Sequence, residues 1–225
     1  MRFWYHCAMP LLEPRTDYSR AENLSDAVIH VSGIVVVLIA VPALITVTAF
    51  LRGDFASLFA ISVYGATLVA MILCSALYNM VPHPDWLGLL QRLDHSAIYA
   101  KIAGTYTPFT LLGGQGTWLL AGLWAVALAG IGLKIAAPGR FRLAAVGLYL
   151  LMGWAGLFAG GSVLGALSTP VFVLILVGGG LYSAGVVFYL LDRLPFHYTI
   201  WHVFVLAASL VFYAAVTLHV VQHAA

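Results

Sequence analysis

Charge is what this 225-residue sequence has least of: Asp, Glu, Lys and Arg together make up only 8%. A soluble domain carries roughly 25%, so a water-facing surface cannot be covered with what is here. The formal net charge is only +2, too weak a basic balance for a nucleic-acid partner. Cysteine is nearly absent. Cys7 and Cys74 are far apart in sequence, which excludes a disulfide framework and zinc-knuckle spacing. Long polar stretches are missing too, so no connection has room for a soluble domain, and there is no low-complexity segment or internal repeat. The first ten residues, with Arg2 and His6, do not read as a secretory signal.

What fills the chain instead is apolar: 63% hydrophobic residues and a mean hydropathy of +1.01. About 20 apolar residues cross a bilayer core as a helix. Seven segments qualify: Val28–Leu51, Leu58–Val81, Ser96–Leu112, Thr117–Ile135, Leu143–Gly161, Val171–Leu191 and Ile200–Val221. The expectation is an all-α, seven-transmembrane helix bundle at 26–225, preceded by a tail at 1–25 whose Phe3, Trp4 and Tyr5 suit a membrane interface. Short connections make sequence neighbours antiparallel.

Orientation follows from the basic residues. If the N-terminus is cytoplasmic, Arg2, Arg15, Arg20, Arg92, Lys134, Arg140, Arg142 and Arg193 fall on the cytoplasmic side and only Arg52 on the other. That bias predicts a cytoplasmic N-terminus and an outer C-terminus. Gly156, Gly160, Gly161, Gly178, Gly179, Gly180 and Gly185 suit close helix packing in lipid, and Pro108 predicts a kink in the third span.

Polar groups are costly in hydrocarbon and tend to be functional or paired. In this topology they gather at one depth. Asp26 and His30 open span one, Ser75 and Asn79 lie near the inner end of span two, Asp94 and His95 open span three, and Tyr198 and His202 open span seven. The pairs four residues apart share a helix face, as do Asp94 and Lys101 about two turns apart. Turned inward, these faces make one polar cavity at the cytoplasmic level. Structural alternatives exist for each. His30 also reads as a core histidine, Asp26 and Asp94 as first-turn acids favoured by the helix dipole, and His95 as an interfacial residue. Lys101 reads either as a substrate contact or as a partner of Asp94.

Several stretches carry a resemblance: Arg20-Ala-Glu-Asn with His30 downstream, Ser75-Ala-Leu-Tyr, Leu93-Asp-His-Ser-Ala-Ile-Tyr leading into Ala103-Gly-Thr-Tyr-Thr-Pro-Phe, Gly180-Leu-Tyr-Ser-Ala-Gly and Ile200-Trp-His-Val-Phe. From about Tyr18 onward the chain resembles the hemolysin III group of the progestin and adipoQ receptor family, part of a wider set of membrane hydrolases. The resemblance implies a protein of the bacterial plasma membrane that acts on lipid-like amides or esters with zinc near the cytoplasmic face. Asp94 would be the catalytic acid/base, Ser75 would assist it, and His202 would be a metal ligand with Asp94 as a weaker one. The family's other two histidine positions hold Asn79 and Tyr198. Asn is a weak neutral ligand and Tyr must lose a proton of pKa about 10, whereas catalytic zinc takes about three protein ligands and a water. This departure leaves three expectations: a hydrolase with an altered zinc site, a non-catalytic receptor or sensor, or a cytolytic pore. No polar stripe runs the full length of the spans as an aqueous pore would want.

Overall fold

The computed structural model describes residues 18–81, 83–137, 141–159 and 165–224. Residues 1–17, which include Phe3, Trp4, Tyr5 and Cys7, lie outside the described residues, as do Arg140, Gly160 and Gly161. Within the described residues the chain forms seven helices: α1 (Arg20–Leu51), α2 (Phe55–Met80), α3 (Pro84–Gly113), α4 (Thr117–Ala136), α5 (Arg142–Phe158), α6 (Thr169–Leu190) and α7 (His197–Gln222). It is an all-α bundle with no strand among these residues.

Two helices begin earlier than hydropathy alone predicts, each because of its first residues. In α1, Ser19 Oγ accepts the Glu22 N–H at 3.2 Å while the Glu22 carboxylate accepts the Ser19 N–H at 2.8 Å. This reciprocal capping box satisfies two donors that a helix start would leave bare. Residues 20–25, expected in the tail, are therefore helix. In α3, Pro84 occupies the first turn, where its missing N–H costs nothing, so most of the expected loop before Ser96 is helical. Both shifts change the reading of acids. Asp26 and Asp94 sit beyond the first turn of their helices, where the dipole has faded. Glu22 is the first-turn acid of α1. At the far end, α3 stops at Gly114, whose φ of 64° closes the helix in the left-handed region.

Five helices are long and apolar enough to cross a membrane. Of the other two, α5 has 17 residues and α3 carries Asp85, Arg92, Asp94 and Lys101. The outward face of α1 exposes Val28, Val31, Val35, Leu38, Ile39 and Phe50, the surface a lipid solvent accepts and water does not. Neighbours in sequence pack side by side, α1 closes the ring against α7, and α3 also touches α5 and α7. One apolar cluster joins residues of α1, α2, α3, α6 and α7 around Tyr64, Leu68 and Val216, and a second joins α3, α4 and α5 around Tyr99, Ala127 and Met152. Pro108 lies inside α3 and Pro42 inside α1.

Close approach depends on a few glycines. A Cβ on Gly130 would stand 2.6 Å from the Tyr99 ring, and one on Gly178 2.7 Å from Phe212. Gly179 and Gly185 are similarly covered by Trp154 and Trp201, as expected, whereas Gly180 faces open space.

The turn between α1 and α2 carries a pH signature. Asp54 Oδ1 accepts the Ser57 N–H at 2.9 Å as the cap of α2, and Arg52 Nε donates to Oδ2 at 3.3 Å. The Ser57 N–H, helped by Arg52, holds the Asp54 carboxyl down at about 2. A depressed carboxylate stabilises the fold fully above its unfolded pKa of about 3.9, and that stability is lost as pH falls through about 2. The expected result is that the parent exceeds Asp54→Asn in thermal stability at pH 5, with the difference vanishing toward pH 2. A difference that does not change with pH refutes this.

Candidate functional site

One turn of α1 sets Asp26 and His30 on the same face, and α7 brings His202 against them. The His202 Nδ1 lies 2.6 Å from Asp26 Oδ1. The His30 Nδ1 lies 3.0 Å from the Asp26 backbone oxygen and 3.7 Å from Asp26 Oδ2. The two imidazoles meet edge to face, with ring centroids 4.4 Å apart. Both are buried, and the Asp26 side chain is only 13% exposed. Asp26, His30 and His202 each place one ligand-type atom within 4.8 Å of the others, so they form a group able to hold a metal ion.

Two more helices complete the cluster. From α2, Ser75 Oγ lies 3.2 Å from His30 Nε2. From α3, Asp94 interacts with the Ser75 side chain and lies within the electrostatic reach of His202. The contacts run Asp26–His30–Ser75–Asp94 across three helices, with His202 closing them from a fourth. Asp94 is not a member of the three-residue group.

The remaining expected residues divide. Asn79 is exposed, and its Nδ2 donates to the Ser75 backbone oxygen at 2.9 Å. Tyr198 stacks among aromatic neighbours, its ring 5.5 Å from Tyr18, 6.1 Å from Tyr189 and 5.9 Å from His202. His95 faces Tyr78 at 6.1 Å, and its backbone oxygen accepts the Tyr149 hydroxyl. Lys101 is not paired with Asp94; its Nζ bonds Thr105 Oγ1 at 2.5 Å.

His30, Ser75, Asn79, Asp94, His95, Lys101, Tyr198 and His202 all line one cavity of about 400 Å³. Along α3 its wall runs from Asp94 through Ile98, Ile102 and Thr105 to Phe109, roughly 22 Å of helix at 1.5 Å per residue. Beyond the polar end the lining is mostly apolar, with Ile175, Val205 and Leu206 from α6 and α7. A largely apolar pocket with a few convergent polar groups is the usual form of a small-molecule site, and this one has the length of an acyl chain.

The profile described as Haemolysin-III related matches residues 18–213. The chain belongs to the haemolysin-III-related family. It is 37% identical over 206 residues to the "Hemolysin-3 homolog" of Bacillus subtilis (strain 168), covering 89% of this chain and 95% of that protein. It is 39% identical over 208 residues to "Hemolysin-3" of Bacillus cereus, covering 90% and 94%. The human "Monocyte to macrophage differentiation factor" is 27% identical over 166 residues, 68% of this chain and 67% of that protein. Family and helices together make this an integral membrane protein of the haemolysin-III type.

The zinc seat expected from that family does not fit the residues here. Asn79 offers a metal only a neutral amide oxygen and Tyr198 a phenol that must first lose its proton, which leaves His202 as the lone imidazole of that set. Asp26, His30 and His202 fit better: one carboxylate and two imidazoles are a donor set that catalytic zinc sites use.

Sequence reasoning missed the scaffold beneath the cluster. Glu22 is buried, and its Oε1 accepts the Phe196 N–H at 2.9 Å, tying the start of α1 to the start of α7. The signal was present as the Ser19-x-x-Glu22 spacing. His197, fully buried, lies 3.2 Å from the Tyr18 hydroxyl and braces the same junction.

Proposed function

We propose that this chain is a membrane hydrolase of lipid amides or esters, with its polar end facing the cytoplasm and a zinc ion held by Asp26, His30 and His202. The observation that supports it is the joining of that donor group to Asp94, through Ser75, at the polar end of a long apolar cavity.

When bound, the metal polarises the scissile carbonyl and makes water a nucleophile near neutral pH. The protein's residues do the rest. The apolar wall along α3 holds the acyl chain and excludes bulk water, which sharpens every charge at the polar end. Asp94 takes the proton of the attacking water and returns it to the leaving nitrogen or oxygen, so that an amide and water give a carboxylic acid and an amine. Ser75 orients Asp94. If His30 holds the metal, its remaining proton would sit on Nε2. Ser75 Oγ then accepts it, and the serine hydroxyl is free to donate to Asp94.

The test is release of fatty acid from a fluorogenic palmitoyl amide by purified protein in vesicles. Turnover that a chelator stops, zinc restores and Asp94→Asn abolishes is expected. Ion flux without hydrolysis, or hydrolysis indifferent to Asp94→Asn, would refute the reading.

A further inference from the structure

Two helical turns deeper than Asp94, the cavity holds a cation that the hydrolytic reading does not use. Lys101 is 3% exposed and lines the cavity wall. Its Nζ donates to Thr105 Oγ1, while the Thr105 hydroxyl donates to the Lys101 backbone oxygen at 2.7 Å. The ammonium is thereby pinned to its own helix. It stands over the Tyr64 ring at 5.0 Å and the Phe212 ring at 5.8 Å. Such contacts favour a cation but do not neutralise it.

No carboxylate of the described residues does so either. Glu22 binds Ser19 and Phe196, Asp26 faces His202, Asp54 faces Arg52, Asp85 faces His83, Asp192 faces Arg142, and Asp94 belongs to the Ser75 cluster. Glu13 and Asp17 lie outside the described residues. A charged amine in the middle of a bilayer is costly unless it is paired, and the space beside it is an apolar cavity.

We infer that Lys101 is a receptor for the carboxylate of a single-chain lipid, whose tail occupies the apolar part of the cavity along Phe109, Ile175 and Val205. A single ammonium matches a monoanionic carboxylate. A phosphate dianion, with three acceptor oxygens, calls for more donors than this wall supplies. The site lies about 10 Å along α3 from Asp94, so a lipid anion bound there is distinct from an acyl group held for hydrolysis. It arrives either as released product that has moved inward or as free lipid from the bilayer.

The test uses the full chain in detergent, treated with chelator so that no metal offers a rival carboxylate site. Binding of palmitic acid, methyl palmitate and palmityl alcohol is compared by displacement of a fluorescent fatty-acid probe. The parent is expected to prefer the acid over the ester by about tenfold or more. Lys101→Met is expected to lose that preference while still binding the ester, which shows that the cavity has folded. Lys101→Arg should keep most of it. Lipid extracted from the proteins as purified, before any chelator, separates the sources: a fatty acid carried by both the parent and Asp94→Asn comes from the bilayer, and one carried by the parent alone is product. A parent with no preference for the acid, or a preference that survives Lys101→Met, overturns the assignment whether or not the protein hydrolyses amides.

Discussion

Replacing Asp26 with asparagine is expected to empty the proposed metal seat, while replacing Asn79 with alanine leaves it full. Asp26 is the only carboxylate in the group formed with His30 and His202. An amide at that position has the same shape but lacks the charge that a divalent ion requires. His30→Gln removes a nitrogen donor and should act likewise. Losing a direct ligand should weaken zinc by more than the ~10–100-fold typical of losing a second-shell partner. Asn79→Ala removes only a bond to the backbone of its own helix, and Tyr198→Phe only a phenol hydroxyl. Metal content of protein purified without added zinc decides the matter, with chelator competition to rank affinities. About one zinc per chain is expected in the parent, Asn79→Ala and Tyr198→Phe. Zinc retained by both Asp26→Asn and His30→Gln, or lost on Asn79→Ala, would place the ion elsewhere. Turnover is read on the same samples, so a protein that binds zinc without hydrolysing anything separates the metal seat from the enzyme.

The fold was legible because hydrocarbon is an exacting solvent. Each long apolar run has to be a helix in lipid, since its backbone finds no other hydrogen-bond partners there. Helix starts were less legible, because Ser19 with Glu22 and Pro84 act locally, beneath any hydropathy average. Among the polar residues, spacing brought Asp26 to His30 and Ser75 to Asn79 within single helices. Which helix then faces which is a tertiary matter. Resemblance pointed to His202 of α7 as a ligand with Asp94 of α3 as a weaker one, and to Asn79 and Tyr198 where the family's other two histidines stand. The structure instead presents α1 to α7, with the Asp26 carboxylate between two imidazoles. Lys101 shows the same limit. Seven residues from Asp94, it shares a helix face with that acid, yet about 10 Å of axial rise separates them, and a four-carbon side chain bonded to Thr105 does not bridge it.

Asp192→Ala should destabilise this protein strongly. The Asp192 carboxylate takes two parallel bonds from Arg142, Nη1 at 2.8 Å and Nη2 at 2.9 Å, and Arg142 Nη2 also donates to the Tyr189 backbone oxygen at 2.9 Å. The guanidinium lies 4.6 Å over the Tyr189 ring. These contacts join the first residue of α5 to the end of α6. α5 is the shortest helix of the described bundle, and its other polar ties are those of Tyr149 to His95, Trp154 to Ser183, and Gly153 and Gly156 to Tyr106. Removing one partner of a buried pair costs about 3–5 kcal/mol. The Arg142 side chain is 23% exposed and Asp192 only 6%, which puts the expected loss at the lower end of that range. Arg142→Lys keeps the charge but loses the fork, so it should fall between parent and Asp192→Ala. Thermal unfolding in detergent measures both, and an Asp192→Ala protein within ~0.5 kcal/mol of the parent would show that the pair holds nothing together. The location of the damage is a second check. Tyr149, Leu150, Gly153 and Trp154 of α5 form part of the cavity wall, whereas Asp26, His30 and His202 stand on α1 and α7. A loosened α5 should therefore weaken binding of palmitic acid and its methyl ester together while leaving zinc content unchanged, a pattern that neither Lys101→Met nor Asp26→Asn can produce.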